Sequence, residues 1–228
     1  MYSVTSGPKR LILGTLLGLT AVVGGVLLIN QDDLPDGIEM DVKDQPTIGF
    51  TKAKVNVVVF EEPKCVNCKE FTLEIFPKIK ERYLDTGKIT FTVIPVSFLP
   101  NSMPAAIALY CVYYADPLYP NPELFFKYLH YMYENFPGEG TDWATPDTLT
   151  KMAAETSPAI NISSLEKCIE MENYRIQVRK NTEYGKRLLG GTISTPTVFV
   201  NGIEVKQLTF DHISHIIDEV LEREGVTP

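Results

Sequence analysis

The sequence predicts an α/β protein in which a helical domain is inserted between a strand-helix-strand half and a strand-strand-helix half. Three observations carry that reading. A β-branched run precedes a helical one, an Asn-Gly pair separates two late strands, and about ninety residues between them show helical spacing and no convincing strand. Lys54 to Phe60 (KVNVVVF) is short and mostly β-branched, the pattern of a strand buried on both faces. From Val66 to Tyr83 the apolar positions Phe71, Ile75, Ile79 and Tyr83 recur every four residues, as on one face of a helix. Pro77 inside it lacks an N–H and predicts a kink or a break. Gly87 ends that unit, and Ile89 to Val96 (ITFTVIPV) forms the second strand. A strand-helix-strand connection of this length calls for parallel strands and a right-handed crossover.

From Pro104 to Leu189, Ala, Leu and aromatic residues recur at helical spacing, broken at Asp116-Pro117, Pro137-Gly138 and Ser157-Pro158. Four or five helices are expected there. The aromatics, Tyr110, Tyr113, Tyr114, Phe125, Phe126, Tyr128, Tyr131, Tyr133 and Phe136, read as core filling in preference to a substrate groove. Thr197 to Val200 and Ile203 to Lys206 then flank Asn201-Gly202, which suits a two-residue type I′ turn because both central residues need positive φ. Phe210 to Arg223 carries Ile213, Ile216, Ile217, Val220 and Leu221 on one stripe, a last helix for the sheet.

The N-terminus is of another kind. Lys9 and Arg10 precede nineteen uncharged residues, Leu11 to Ile29, and Asp32, Asp33 and Asp36 follow. As a helix rising about 1.5 Å per residue, that run nearly spans a hydrocarbon core of about 30 Å. Basic residues before it predict a cytoplasmic N-terminus, residues 1–10, and an exported body. No small-residue cleavage site follows, so a transmembrane signal anchor over 11–29 is favoured over a cleaved signal peptide. Residues 30–46, rich in Asp, Gly and Pro, read as a linker. The remainder divides into 47–97 and 190–224 as the α/β domain, with 98–189 as the inserted helical domain. A net charge of −8 and a pI near 5.0 exclude a nucleic-acid surface, which needs clustered cations.

Export makes the four cysteines, Cys65, Cys68, Cys111 and Cys168, candidates for disulfides, and spacing alone leaves three pairings open. Cys65 falls where the first helix begins and Cys68 one turn in, so their sulfurs share a face. A helix N-terminus, with Lys64 beside it, lowers the pKa of Cys65. Cys65, expected to be exposed, is the exchanging sulfur, and Cys68, more buried, the resolving one.

KVNVVVF, EEPK, CVNC and KEF in succession, the helical insertion and the late STPTVFVNG (Ser194 to Gly202) together resemble a DsbA-type thiol:disulfide oxidoreductase of the thioredoxin superfamily, over roughly Thr47 to Glu224. The resemblance implies a thioredoxin-like fold and a redox-active disulfide at Cys65 and Cys68. It also implies a cis Thr195-Pro196 bond whose backbone pairs with the substrate chain, and no cofactor. It allows a second, structural disulfide between Cys111 and Cys168, against two buried free thiols. Exported proteins with cysteines or disulfides are the implied substrates, and a membrane partner resets the active site. Val66 and Asn67 depart from the proline or histidine that many relatives carry between the cysteines, which weakens the expected oxidising power. Val59 stands where many thioredoxin-like proteins bury a carboxylate. Glu61 and Glu62 lie closer and could handle protons, though two exposed acids more often do nothing specific.

Other chemistries fit poorly. A four-cysteine zinc site lacks a tightly spaced second pair, and His130, His212 and His215 have no third ligand in view. Gly190-Gly191 precedes a strand and opens no phosphate-binding helix, and the sequon at Asn161 matters only in a eukaryotic secretory pathway. The expected function is a membrane-anchored extracytoplasmic dithiol oxidase. The alternatives are a reductase or isomerase on the same fold, or a redox-inactive peptide- or copper-binding module.

Overall fold

A strand with side chains to bury on both faces belongs in the middle of a sheet, and Val55–Glu61 takes that place in the computed structural model, which describes residues 34–227. The strands are β1 (Thr47–Gly49), β2 (Val55–Glu61), β3 (Ile89–Pro95), β4 (Thr197–Val200) and β5 (Ile203–Glu204), in the sheet order β1-β3-β2-β4-β5. β2 runs parallel to β3, with Val55 opposite Ile89 and Glu61 opposite Pro95, and antiparallel to β4, with Val57 opposite Val200. β1, which three residues of sequence could not announce by periodicity, pairs antiparallel with β3.

Helix α1 follows β2 as four successive segments, Val66–Glu70, Phe71–Ile75, Phe76–Ile79 and Lys80–Leu84, the second and fourth wound as π-helix. Pro77 therefore neither breaks nor ends the helix. The wider turn before it, closed by Phe76 N–H to the Phe71 carbonyl, is the local adjustment that lets the ring fit. Five helices make up the insertion: α2 (Met103–Tyr113), α3 (Pro122–Glu134), α4 (Pro146–Thr156), α5 (Ile162–Glu170) and α6 (Arg175–Leu188). α7 (Phe210–Arg223) closes the described fold. Asn121, Thr145, Asn161 and Thr209 cap α3, α4, α5 and α7 by accepting a backbone N–H, each worth about 1 kcal/mol.

The two faces of β2 divide the core. Val58 and Phe60 pack with Ile94, Val96, Ile193 and Phe199, under Tyr184 and Leu188 of α6. The other face meets α1 and α7, where the Tyr83 hydroxyl donates to Asp218 at 2.8 Å. Of the insertion aromatics, Tyr110, Tyr113, Phe125, Tyr128 and Tyr133 are buried. A polar knot ties the insertion to the sheet: Asn181 Nδ2 donates to the Tyr110 hydroxyl at 2.7 Å and to the Pro95 carbonyl at 2.8 Å, and Gln45 Nε2 donates to Asn181 Oδ1 at 3.1 Å.

Gln45 lies within the stretch expected as linker, and residues 38–45 of that stretch are attached to the domain. Met40 and Val42 pack on the core, and the Ile38 N–H donates to the Gly202 carbonyl at 3.1 Å. The Asn201-Gly202 turn has both φ angles positive, 45° and 80°, as its sequence requires. A Cβ on Gly202 would lie 1.8 Å from the Ile38 carbonyl oxygen, so the turn needs glycine for space as well as conformation. The expected transmembrane segment, residues 11–29, lies outside the described residues; among the described residues no helix is long and apolar enough to cross a membrane.

Cys111 on α2 and Cys168 on α5 are joined by a disulfide across a separation of 57 residues. Closing a loop of that length stabilises the fold by about 4 kcal/mol on chain-entropy grounds. The double variant Cys111→Ala/Cys168→Ala is therefore expected to lose about 4 kcal/mol in urea unfolding, with the active-site pair left able to cycle.

Candidate active site

β2 emerges from the sheet at Glu61, and the chain turns through Glu62, Pro63 and Lys64 into α1, placing Cys65 as the residue that caps the helix. Four helices of the fold begin under an Asn or Thr oxygen that accepts a backbone N–H; here a cysteine holds the cap position and its sulfur makes no such side-chain cap bond. The ionised Cys65 sulfur is favoured, in descending order, by the Cys68 thiol, by Thr195 and by the backbone N–H groups of Cys68 and Asn67. As a thiol, it donates to the Thr195 carbonyl oxygen at 3.4 Å. The Thr195 hydroxyl is buried and otherwise unpartnered among the described residues, which leaves it available to the ionised sulfur.

These contacts separate the two sulfurs chemically. The Cys68 thiol first, then Thr195 and the helix N–H groups, outweigh burial and bring Cys65 from 9.0 down to about 6. Burial first, then the hydrogen bond given to Cys65 and the nearby Glu61, hold Cys68 well above the ordinary thiol range. Cys65 retains only 7% exposure and Cys68 none, so the expectation of an exposed Cys65 gives way to a largely buried sulfur. Beside it, in the loop before β4, Thr195 and Pro196 are joined by a cis peptide bond. The Lys64 amine, expected to support the thiolate, donates instead to the Pro100 carbonyl at 2.8 Å. Hydrogen bonds, not a neighbouring cation, account for the lowered pKa.

The two acids are the main departure from the sequence reading. Glu61 and Glu62 are 2% and 0% exposed, where two solvated carboxylates were expected. Burial raises each from 4.5 to about 8, against the opposing hydrogen bonds from Thr72 to Glu61 and from Ser102 to Glu62. Thr72 Oγ1 reaches Glu61 at 3.1 Å; Lys64 N–H reaches Glu62 Oε2 at 3.2 Å, and Glu62 Oε1 has no partner among the described residues. A signal for Glu61 was present in the chain. Side chains two apart on a strand share a face, so Glu61 lies on the same side of β2 as Val59, the position at which the resemblance sought a carboxylate. Glu61 lies close enough to Cys68 that its ionised form would raise the thiol's pKa further.

Cys65, Cys68, Thr195 and Pro196 are thus brought together from the two halves of the chain, while Cys111 and Cys168 form their bridge within the insertion. Among the described residues no group of three or more His, Cys, Asp or Glu side chains gathers as a metal site.

A nucleophilic sulfur hydrogen-bonded to a second, protonated one is equipped for disulfide exchange, and the surrounding fold is that of thioredoxin-like proteins. The class is therefore a thiol:disulfide oxidoreductase. A family model described as Thioredoxin matches residues 41–219. Disulfide bond formation protein D of Bacillus subtilis is 31% identical over 183 residues, covering 79% of each chain. The crystal structure of Chlamydia trachomatis DsbA is 38% identical with a TM-score of 0.76, covering 84% of this chain and 100% of that one. Oxidised BdbD from Bacillus subtilis is 30% identical with a TM-score of 0.74, again over 84% and 100%. The chain belongs to the thioredoxin family, as a DsbA-type protein disulfide oxidoreductase.

Titration of the reduced protein by thiolate ultraviolet absorbance is expected to show a midpoint near pH 6, and Cys68→Ala is expected to raise it by removing the largest contribution. A depressed folded-state pKa stabilises the reduced form fully above the unfolded value, and that stability is lost as pH falls through the folded one. The reduced protein is therefore expected to gain stability relative to the oxidised form as pH rises from about 6 to 9.0, measured by paired urea unfolding.

Proposed function

We propose that the chain is an extracytoplasmic dithiol oxidase, tethered to the membrane through residues 11–29, that inserts disulfides into exported proteins. The observation that carries the direction of electron flow is the split between the sulfurs: Cys65 ionises at about 6 while Cys68 stays protonated, and a stabilised thiolate favours the reduced enzyme and hence oxidation of the substrate. The printed names of the bacterial relatives, disulfide bond formation proteins among them, support the same reading.

In the proposed cycle the enzyme starts as the Cys65–Cys68 disulfide. A substrate thiolate attacks the Cys65 sulfur, the Cys65–Cys68 bond breaks, and Cys68 leaves with the electron pair and takes up a proton. Glu61, neutral near pH 7 and close to Cys68, is the group proposed to supply it. Meanwhile the backbone at Thr195, beside Pro196, holds the substrate chain in extended form against the mixed disulfide. A second substrate thiolate then attacks the substrate sulfur of that bond, and Cys65 departs as the better leaving group of the two. The substrate has lost two electrons, the enzyme holds a dithiol, and a membrane partner must remove those electrons before the next turnover. No cofactor enters these steps.

Cys68→Ser is expected to accumulate mixed disulfides with exported proteins, and Cys65→Ser to form none and to lose dithiol oxidation. An equilibrium with glutathione decides direction: a potential near the roughly −270 mV of thioredoxin would overturn the oxidase reading in favour of reduction. Glu61→Gln is expected to slow release of the resolving cysteine at least about ten-fold while mixed-disulfide formation by the Cys68→Ser variant is unaffected.

A further inference from the structure

The cap of α1 is shared between two anions. Of the N–H groups at the helix start, that of Val66 donates to Glu139 Oε2 at 3.2 Å, while those of Asn67 and Cys68 help to favour the ionised Cys65 sulfur. Glu139 comes from the loop between α3 and α4, more than seventy residues away in sequence. Gly138, at a φ of 120°, turns the chain so that Thr141 N–H and hydroxyl both return to the Gly138 carbonyl, and Glu139 stands at the tip. The loop is pinned on both sides: the Phe136 ring lies under Lys69 Nζ of α1 at 5.4 Å and edge-on to Trp143 at 6.1 Å, and Asp142 accepts from Asn101 at 2.8 Å.

We propose that Glu139 is a positioning residue that moderates the oxidising power of the Cys65–Cys68 pair through the shared helix cap. This rests on the disulfide-exchange reading of that pair. A carboxylate is favourable at a helix N-terminus whenever the adjacent sulfur is uncharged, as it is in the disulfide. Once the pair is reduced and Cys65 becomes a thiolate, the same carboxylate is a like charge beside it, competing for the same positive end of the helix. Glu139 therefore stabilises the oxidised enzyme relative to the reduced one. The other charged or titratable groups around the sulfur are Lys69 and Cys68 on α1, Lys64 ahead of it, Glu61 and Glu62 at the end of β2, and the buried Tyr133 of α3, which donates to the Glu62 carbonyl at 3.2 Å. The loop opposite, Ser194 to Thr197, brings no charged side chain. Glu139 is exposed, which limits the effect to the scale of a solvated charge at a helix end.

The test uses Glu139→Gln in the full chain, which keeps an acceptor for the Val66 N–H and removes only the charge, with Glu139→Ala beside it. The Cys65 titration midpoint is expected to fall by about half a pKa unit in both, a roughly three-fold change. Two glutathione thiols passing their electrons to the enzyme disulfide yield one glutathione disulfide and the enzyme dithiol. That equilibrium is expected to move roughly three-fold toward the reduced enzyme. A midpoint and an equilibrium constant both unchanged, or both moved the other way, would overturn the proposal. Thermal unfolding of the oxidised variants establishes that they fold. Failure of the exchange reading itself shows separately, as wild-type protein that forms no mixed disulfide with glutathione.

Discussion

The removal of β2 from water on both faces is the constraint from which the site follows. Because the strand is central and pairs on either side with β3 and β4, its last residues cannot keep their side chains hydrated, and Glu61 and Glu62 are carried inside with it. Burying a carboxyl group without a matching cation favours its neutral form, and both are pushed up to about 8. The same strand ends where α1 begins, so the two neutral acids sit behind the helix start that holds the sulfurs. A positive helix end in front and protonated carboxyls behind give the two cysteines opposite surroundings within one turn of helix. At Cys65 polar neighbours outweigh burial, while at Cys68, Glu61 and Glu62 burial prevails.

The second half of the chain completes this arrangement. β4 pairs with β2 and so fixes where the preceding loop must lie, which sets the Thr195 carbonyl 3.4 Å from the Cys65 sulfur. The hairpin beyond it is held by the Asn201-Gly202 turn, whose Asn201 side chain accepts the Asn56 N–H of β2 at 2.7 Å. The helical insertion contributes in a different way. Its polar knot of Tyr110, Asn181 and Gln45 fastens it to the end of β3, its disulfide ties α2 to α5, and its loop after α3 leans on the start of α1. A domain added to the fold thereby takes part in the electrostatics of the cysteine pair.

Much of this could be read along the chain, since the relevant signals are local. The β-branched run, the four-residue repeat of Phe71, Ile75, Ile79 and Tyr83, the Asn-Gly turn and the stripe on α7 each depend on neighbours a few residues apart, and the elements lie within a residue or two of where those patterns put them, except that β5 ends at Glu204. β1 was missed because three residues make no period; its pairing is dictated by β3. The break that Pro77 could have made does not occur, because a missing N–H says only that one bond is lost, while the neighbouring turns decide whether the helix rewinds around it. The stretch before β1 looked like linker from its Asp, Gly and Pro content, yet Met40, Val42 and Gln45 are held by partners far along the sequence.

What the sequence by itself determined was the chemistry of the pair: two cysteines one turn apart at a helix start, with a second run of residues matching the far side of the same site. Only the tertiary structure decided the state of the groups around them. Whether an acid is solvated or neutral, and whether a lysine serves a sulfur or a carbonyl, depends on what other segments displace the water, and exposure of that kind is not a property of neighbouring residues. Glu61, Glu62, Lys64 and Glu139 all acquire their roles from contacts that folding creates, over separations that no local pattern encodes.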